Sequence, residues 1–337
     1  MRPFTYERPT SLRDAVALAQ SSGAAHVTAP VQYKGGGTNL IDLMKLDVMR
    51  PTRLIDITRL EGERLHTVER SEQGVRIGAL VPMARLADMA DVRRDFPVLT
   101  DALWLAASAQ LRNMARLGGN VLQRTRCPYF RDTTYCECNK RDPGSGCAAK
   151  DGFNRLHAVF GTSDQCIATY AGDWGQALIA LDAYVEILSP EGSRSVLFAD
   201  LHRLPGDTPW IETTLAPGEL ITGFVVPGGP WPRSKYLKIR DRESYAFANA
   251  SAAVALDLEG GVARDVRIAL GGLATKPWRA TKAEAVLRGQ LVTEDLAIAA
   301  AEAEFADAVA HEHNAFKIPL GKATIVRALM ELTEMDA

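Results

Sequence analysis

Most of the cysteines are clustered, and a cluster of thiols can hold a metal centre. The clustered positions are Cys127, Cys136, Cys138 and Cys147. Disulfide frameworks belong mainly to small secreted domains, whereas this chain has 337 residues, so we expect reduced thiols. Four thiolates suit either zinc or an iron–sulfur cluster. The absence of the C-x2-C pairs typical of structural zinc favours iron–sulfur, and Lys140 and Arg141 would offset part of the thiolate charge.

A glycine-rich loop is the second candidate site. It reads Tyr33-Lys-Gly-Gly-Gly-Thr-Asn-Leu40 and follows a short apolar run. Consecutive glycines allow a tight turn that directs backbone N–H groups toward an anion, and Thr38 and Asn39 add side-chain donors. The loop matches neither G-x-G-x-x-G nor a P-loop. It favours a phosphate or pyrophosphate, and from this loop alone a turn without a ligand is the alternative.

A second loop with paired glycines and amide side chains follows a predicted helix. It reads Arg112-Asn-Met-Ala-Arg-Leu-Gly-Gly-Asn120. Alone, such a loop is also typical of the end of a helix. Two loops of this kind on either side of an α/β region together indicate a nucleotide cofactor.

Charge and composition exclude several classes of protein. There are 39 basic and 41 acidic residues, so the basic surplus of a nucleic-acid-binding protein is missing. No run approaches the roughly 20 apolar residues that span a bilayer, and the N-terminus lacks the apolar core of a signal peptide. There is no G-x-S-x-G elbow of a hydrolase. The paired His311 and His313 are interpreted as part of a solvated face.

The predicted elements that position these loops are of mixed type. Helices are predicted near residues 12–19, 82–90, 98–109 and 174–181, and strands near 54–57, 75–79, 184–188 and 220–226. Residues 112–161 lack a regular pattern, and a loop of that length inside a compact chain is normally functional or disordered. Because it holds four cysteines and several aromatic residues, we expect it to fold around a ligand.

The C-terminal part has a different order of elements. Residues 227–232, Pro-Gly-Gly-Pro-Trp-Pro, are predicted to be a linker. Strands are predicted near residues 235–239, 252–258 and 266–269, followed by helices from about Thr293 and Pro319. Strands followed by helices indicate an α+β domain. We therefore predict an N-terminal domain over 1–226, with a cysteine-rich insertion at about 121–161, and a C-terminal domain over 233–337.

Several segments resemble one family, the FAD-binding subunits of molybdenum hydroxylases, which include xanthine dehydrogenase, carbon monoxide dehydrogenase and aldehyde oxidoreductases. The segments are Gly35-Gly-Gly-Thr-Asn-Leu40, Leu117-Gly-Gly-Asn120, Ala168-Thr-Tyr-Ala-Gly-Asp173, Pro217-Gly-Glu-Leu-Ile221, Lys238-Ile-Arg-Asp-Arg-Glu-Ser-Tyr-Ala246 and Ala269-Leu-Gly-Gly-Leu-Ala-Thr-Lys-Pro277. The resemblance implies an α+β fold class, with a two-lobed α/β FAD-binding domain like that of vanillyl-alcohol oxidase and an α+β C-terminal domain.

The same resemblance implies a set of FAD-binding residues. They are Gln32, Tyr33, Lys34, Gly35, Gly36, Gly37, Thr38, Asn39, Leu40, Arg116, Gly119, Asn120, Asp173, Leu220, Lys238 and Tyr245. Leu220 and Tyr245 are expected to pack near the flavin ring, and Lys238 to favour its reduced, anionic form. Arg116 departs from the family, which usually has Thr there. No His or Cys lies in either glycine loop, so we expect FAD to be bound non-covalently.

The cysteine-rich segment resembles the bacterial periplasmic aldehyde oxidoreductases within that family, whose FAD subunit carries an extra 4Fe–4S cluster. The resemblance is carried by Arg126-Cys-Pro-Tyr-Phe-Arg-Asp132 and Cys138-Asn-Lys-Arg-Asp-Pro-Gly-Ser-Gly-Cys147. The expected cluster ligands are Cys127, Cys136, Cys138 and Cys147. Cys166 lies in an apolar, strand-like context and is expected to be a core residue.

The function implied is electron transfer within an aldehyde oxidoreductase. Electrons would pass from a molybdopterin-binding large subunit and a small 2Fe–2S subunit to FAD on this chain, and then to an external acceptor. The assembly would be a heterotrimer or a dimer of heterotrimers. No catalytic residue is expected on this chain. Lacking its own signal, the chain would be periplasmic by co-export with a partner, or cytoplasmic. The alternatives are a flavoprotein subunit like that of 4-hydroxybenzoyl-CoA reductase, a stand-alone vanillyl-alcohol-type FAD oxidase and a zinc-stabilised scaffold.

Overall fold

A computed structural model describes residues 1–20, 27–60 and 64–335, and it has three β-sheets with helices packed on them. The strands are β1 Thr5–Glu7, β2 Val31–Lys34, β3 Arg53–Asp56, β4 Val68–Ser71, β5 Gly74–Gly78, β6 Tyr184–Ser189, β7 Gly192–Leu197, β8 Leu220–Pro227, β9 Ser234–Ile239, β10 Ala250–Glu259, β11 Val262–Gly271 and β12 Trp278–Arg279. The helices are α1 Leu12–Ala19, α2 Leu40–Lys45, α3 Met83–Ala87, α4 Ala90–Asp95, α5 Pro97–Trp104, α6 Ala109–Met114, α7 Leu117–Val121, α8 Pro128–Arg131, α9 Trp174–Ala180, α10 Thr281–Leu287, α11 Glu294–Phe305 and α12 Lys317–Thr333.

The first lobe is a small parallel sheet in the order β1-β3-β2. The predicted helix α1 packs on it because its apolar positions, which include Leu12, Ala15 and Val16, recur at helical spacing and are buried. Ser11 caps this helix, and its side chain accepts a hydrogen bond from the Asp14 backbone N–H at 3.1 Å. The strand β2 was not predicted, yet it positions the glycine-rich loop, which follows it directly.

The second lobe is an antiparallel sheet in the order β4-β5-β8-β6-β7, covered by helices α3 to α7 and α9. The single helix predicted over 98–109 is two helices here. Helix α5 ends at Trp104, Ala107 adopts a left-handed backbone with φ of +50°, and Ser108 caps α6 by accepting from the Leu111 N–H. A β-carbon disfavours left-handed backbone, and sequence periodicity does not reveal such a local break.

The C-terminal part is an antiparallel sheet in the order β12-β11-β10-β9 with helices α10 to α12 on one face. Alternate residues of β10 face opposite sides of this sheet. Val254 packs among the C-terminal helices, whereas Ala253 and Ala255 pack against the second lobe. The predicted order of strands followed by helices, and with it the mixed fold class, is confirmed.

The cysteine-rich segment is packed against the first lobe as a largely irregular, partly buried layer. Its Phe130 and the helix residues Leu43 and Met44 belong to one buried apolar cluster. The segment holds a single short helix, α8, and a β-bridge between Cys138 and Cys147. None of the helices within residues 1–20, 27–60 and 64–335 combines the length and apolar character needed to cross a membrane.

Candidate functional site

A cavity lies between the two glycine loops and is also lined by residues of the segment 202–220. Of the predicted cofactor-binding residues, it is lined by Gln32, Tyr33, Gly35, Gly36, Gly37, Thr38, Asn39, Leu40, Arg116, Gly119, Asn120 and Leu220. The structure therefore brings both loops, which are far apart in sequence, to one concave site. Such a site is the usual place for a small-molecule cofactor.

The two loops touch each other at a position where only glycine fits. A β-carbon on Gly36 would lie 2.0 Å from the backbone oxygen of Met114, the residue that ends helix α6. The neighbouring Gly37 has a φ of +79°, a conformation that side chains rarely adopt. Glycine is thus required at position 36 by the close approach of the loops and at position 37 by the backbone turn.

Several polar groups at this cavity are buried without a hydrogen-bond partner among the described residues. They are Asn39 Nδ2, Arg116 Nε and Asn120 Oδ1. An unpaired buried polar atom costs roughly 1–3 kcal/mol, so these atoms indicate a missing polar ligand. Burial also lowers the pKa of Arg116, which no carboxylate of the described chain pairs in the structure. Two donors and an acceptor around flexible glycine backbone fit the diphosphate and ribityl groups of FAD.

Four predicted residues do not line this cavity. Lys34 points instead to Asp56, with 3.5 Å between its Nζ and Oδ1. Tyr245 is 55% exposed, its backbone φ is +53°, and its ring lies under the Arg242 guanidinium. The remaining two, Asp173 and Lys238, belong to a buried network of their own.

In that network Asp173 and Lys238 bind each other, and their expected roles beside FAD stay predictions. Lys238 Nζ lies 2.8 Å from Asp173 Oδ2 and also donates to the Leu105 carbonyl at 2.9 Å. The other oxygen of Asp173 accepts from the Tyr236 hydroxyl at 2.7 Å, and that hydroxyl contacts Ser251. Because a buried charge is stable only when it is paired, these groups satisfy each other at the junction of the second lobe and the C-terminal sheet.

The cavity also contains residues that the sequence analysis did not identify. His202 and Tyr170 both bind the backbone oxygen of Val121, at 2.9 and 3.1 Å. Burial lowers the pKa of His202 to about 4, so its ring is neutral near pH 7. Both residues come from irregular segments; no motif surrounds His202, whereas Tyr170 lies within the segment 168–173 that resembles the family.

A second, smaller pocket lies in the cysteine-rich segment and is lined by four thiols. They belong to Cys127, Cys138, Cys147 and Cys166. Cys136 does not line it; it is exposed, and its thiol faces the Thr134 backbone oxygen at 3.9 Å. Three of the four predicted ligands therefore line this pocket. Its fourth thiol belongs to Cys166 and not to the predicted Cys136.

Cys166 reaches this pocket because the chain folds back on itself after Cys147. Cys138 and Cys147 are paired in an antiparallel β-bridge. After residues 148–157 the chain turns back, and the Ala158 N–H donates to the Ile167 carbonyl at 3.0 Å, which brings the neighbouring Cys166 into the same buried cluster. Spacing along the sequence cannot reveal such a return, and the apolar context of Cys166 is explained by its 6% exposure.

Charge and geometry in this pocket constrain what it could hold. Burial raises the pKa of all its thiols, so they are protonated near neutral pH until a metal displaces the protons. Within the described part of the chain, no group of three or more His, Cys, Asp or Glu side chains is arranged to hold a metal ion. The thiols are thus not assembled around a single ion such as zinc, which a compact tetrahedral set would hold.

The two pockets share a wall, formed by Lys140, Cys166 and Ala168. Lys140 Nζ lies 2.9 Å from Glu212 Oε1 and donates to the Pro209 carbonyl at 2.9 Å. The Lys140 ammonium is thus paired with Glu212, and its role in offsetting thiolate charge stays a prediction. A group held by the thiols and a cofactor in the glycine-loop cavity would therefore be separated by little more than one layer of side chains.

Comparison with known protein families matches nearly the whole chain. Residues 2–229 match the model described as the FAD binding domain in molybdopterin dehydrogenase. Residues 235–332 match the CO dehydrogenase flavoprotein C-terminal domain. The junction between the two matches falls in the Pro- and Gly-rich segment before strand β9.

Individual relatives agree with this assignment. The aldehyde oxidoreductase FAD-binding subunit PaoB of Escherichia coli K12 is 46% identical over 98% of both chains. The carbon monoxide dehydrogenase medium chain of Afipia carboxidovorans is 28% identical, covering 89% of this chain and 86% of its own. A solved carbon monoxide dehydrogenase chain from Hydrogenophaga pseudoflava superposes with a TM-score of 0.74 at 26% identity, over 98% of this chain and 96% of that one. The chain therefore belongs to the family of FAD-binding subunits of the molybdenum hydroxylases, and it is an oxidoreductase subunit.

Proposed function

We propose that this chain is the electron-transfer subunit of a molybdenum-dependent aldehyde oxidoreductase and that it holds both FAD and a 4Fe–4S cluster. The observation that carries the proposal is a pocket of four thiols sharing a wall with the family's FAD cavity. The 46% identity to an aldehyde oxidoreductase FAD-binding subunit supports the substrate class. The two-domain division, near residues 226–233, is part of the same proposal.

In the proposed FAD site, the protein would bind and orient the cofactor, and the cofactor would supply the redox chemistry, because a flavin can accept and release electrons singly or in pairs. The backbone N–H groups of Gly35, Gly36 and Gly37, which line the cavity, would bind the diphosphate. Arg116 lies over Gly35, with 3.5 Å between its Cγ and the position of a β-carbon there. Its unpaired guanidinium nitrogen would then offset diphosphate charge in place of the family's usual hydroxyl.

For the cluster we propose the ligands Cys127, Cys138, Cys147 and Cys166, which revises the spacing-based set. Support comes from their common pocket and buried apolar cluster. A cluster of four irons and four sulfides separates its ligands more widely than one ion does, which fits thiols that are gathered but not assembled around a single ion. Lys140 and Arg141 would offset its negative charge.

The proposed partners are a molybdopterin-binding large subunit and a small 2Fe–2S subunit. The chain carries no further group of four cysteines, since its remaining cysteine is Cys136. The relatives that it matches are named as subunits or medium chains. We therefore assign aldehyde oxidation to a partner, and to this chain the transfer of electrons to an external acceptor.

The test uses the complex purified after co-production with its partners, and this chain purified alone. Acid precipitation should release all flavin, and the chain alone should hold about four irons. Adding an aldehyde should reduce the flavin in the complex, whereas the chain alone should exchange electrons with artificial donors but oxidise no aldehyde. Aldehyde oxidation by the chain alone, at a rate comparable to that of the complex, would establish a stand-alone oxidase instead. A colourless chain without flavin or iron would also contradict the proposal.

A further inference from the structure

His157 is buried beside one of the pocket's thiols, although nothing in the FAD site uses it. The side chain is 2% exposed, and its Nε2 lies 3.1 Å from Cys127 Sγ. Its other nitrogen, Nδ1, is buried and has no hydrogen-bond partner among the described residues. Within residues 1–20, 27–60 and 64–335, the one polar contact of this ring is therefore with sulfur.

The backbone of His157 is held in position by both parts of the protein. The His157 backbone N–H donates to the Asn154 carbonyl at 3.0 Å, and its carbonyl accepts from Asn314 Nδ2 at 3.3 Å. Asn314 belongs to the C-terminal part and is fully buried, and Asn154 Oδ1 in turn accepts from the His313 N–H at 2.9 Å. These contacts fix the point from which the buried ring extends to Cys127.

We propose that His157 is a positioning residue that donates its Nε2–H to Cys127 Sγ and thereby raises the reduction potential of the cluster. The inference rests on the proposed function, because it requires Cys127 to be an iron ligand. A ligating thiolate carries no proton and can only accept, so the proton of the contact must be on Nε2. Reduction adds negative charge that spreads onto the sulfurs, and a donor to sulfur stabilises that charge.

A pair of substitutions separates the hydrogen bond from the volume of the ring. H157F fills similar space but removes the donor. H157Q keeps an N–H donor, because its amide nitrogen can reach about as far as Nε2. H66F, which removes a histidine whose Nε2 contacts the Leu60 carbonyl outside both pockets, is the matched control.

The readout is the midpoint potential of the cluster, measured by redox titration with electron paramagnetic resonance on the complex. H157F should retain its iron and flavin and shift the cluster to a more negative potential, while H157Q and H66F stay near the wild-type value. If H157F holds its cluster at the wild-type potential, the inference is wrong and the proposed function is unaffected. If H157F cannot hold a cluster, H157Q decides: loss there as well, or a potential clearly below wild type, overturns the inference.

The unmodified protein gives an independent test. With histidine labelled by 15N, pulsed electron paramagnetic resonance of the reduced cluster should detect one weakly coupled nitrogen, which H157F removes and H66F leaves. A strong coupling, as expected for a nitrogen bound directly to iron, would overturn the inference, and so would the absence of any coupling. If this chain purified alone contains FAD but no iron, the cluster in the proposed function is refuted instead, and the iron content of that preparation is measured before the potentials.

Discussion

Lys140 and Glu212 form an ion pair at the boundary of the two pockets, with 2.9 Å between Nζ and Oε1. Arg124 binds the other oxygen of the same carboxylate. Burial by itself would raise the pKa of Glu212, but the two cations outweigh it and lower that pKa. The pair connects the cysteine-rich segment with the chain around residue 212. It therefore stabilises the wall that the two pockets share.

Replacing Glu212 with Gln should destabilise the protein, because it leaves two cations near each other without their carboxylate. Breaking a fully buried pair costs roughly 3–5 kcal/mol. A quarter of the Glu212 side chain is exposed, so we expect about 2 kcal/mol by the same reasoning. Urea unfolding followed by circular dichroism measures the loss. Glu243→Gln, at an exposed position, is the control; equal stability of the two variants would contradict a structural role of the pair.

The ligand assignment predicts opposite results for two cysteines. Cys166→Ser should lose most of its iron, because a buried hydroxyl is a poor replacement for a thiolate ligand, whereas Cys136→Ser should keep about four irons per chain. Flavin content should stay unchanged in Cys136→Ser. Iron analysis and the visible spectrum of both variants check the prediction. The reverse result would restore the ligand set derived from spacing.

Gly36→Ala should empty the FAD site. Its new β-carbon would collide with the backbone oxygen of Met114, so the two loops must separate. We expect FAD affinity to fall at least about tenfold, which corresponds to about 1.4 kcal/mol. Flavin fluorescence titration of the apoprotein measures the affinity. Gly229→Ala, where a β-carbon would meet nothing within 4 Å, should bind FAD normally; equal binding by both variants would place the diphosphate elsewhere.

The lowered pKa of His202 predicts that the folded protein becomes less stable in mild acid. Its pKa is about 4 in the folded protein, against an ordinary value of 6.5. Below pH 6.5 the unfolded chain therefore takes up a proton that the folded chain refuses, and the free energy of unfolding falls by up to about 1.4 kcal/mol per pH unit until pH 4. His202→Phe lacks this proton, so its stability should depend less steeply on pH in that range. Urea unfolding at a series of pH values would contradict the prediction if both proteins gave the same slope.

Local residue patterns were enough to predict those parts of the site that are continuous in sequence. The glycine loop that ends at Leu40 and the loop that contains Asn120 are each recognisable from their residues, because a run of glycines has a conformational meaning wherever it occurs. The predicted helix at residues 12–19 and most predicted strands are also present, since a regular period of apolar residues specifies which face is buried. These features depend on interactions within a few residues.

Tertiary structure decided which of these residues meet. Cys166 joins the thiols only because the chain folds back after Cys147, and Cys136 is excluded although it is adjacent to them in sequence. Asp173 and Lys238, both predicted from sequence to bind FAD, also form an ion pair with each other at the junction of the second lobe and the C-terminal sheet. The sequence does not reveal which partner a charged side chain or a thiol will contact. Buried polar groups must be paired because the interior has a low dielectric constant, and that interior forms only when distant segments pack together.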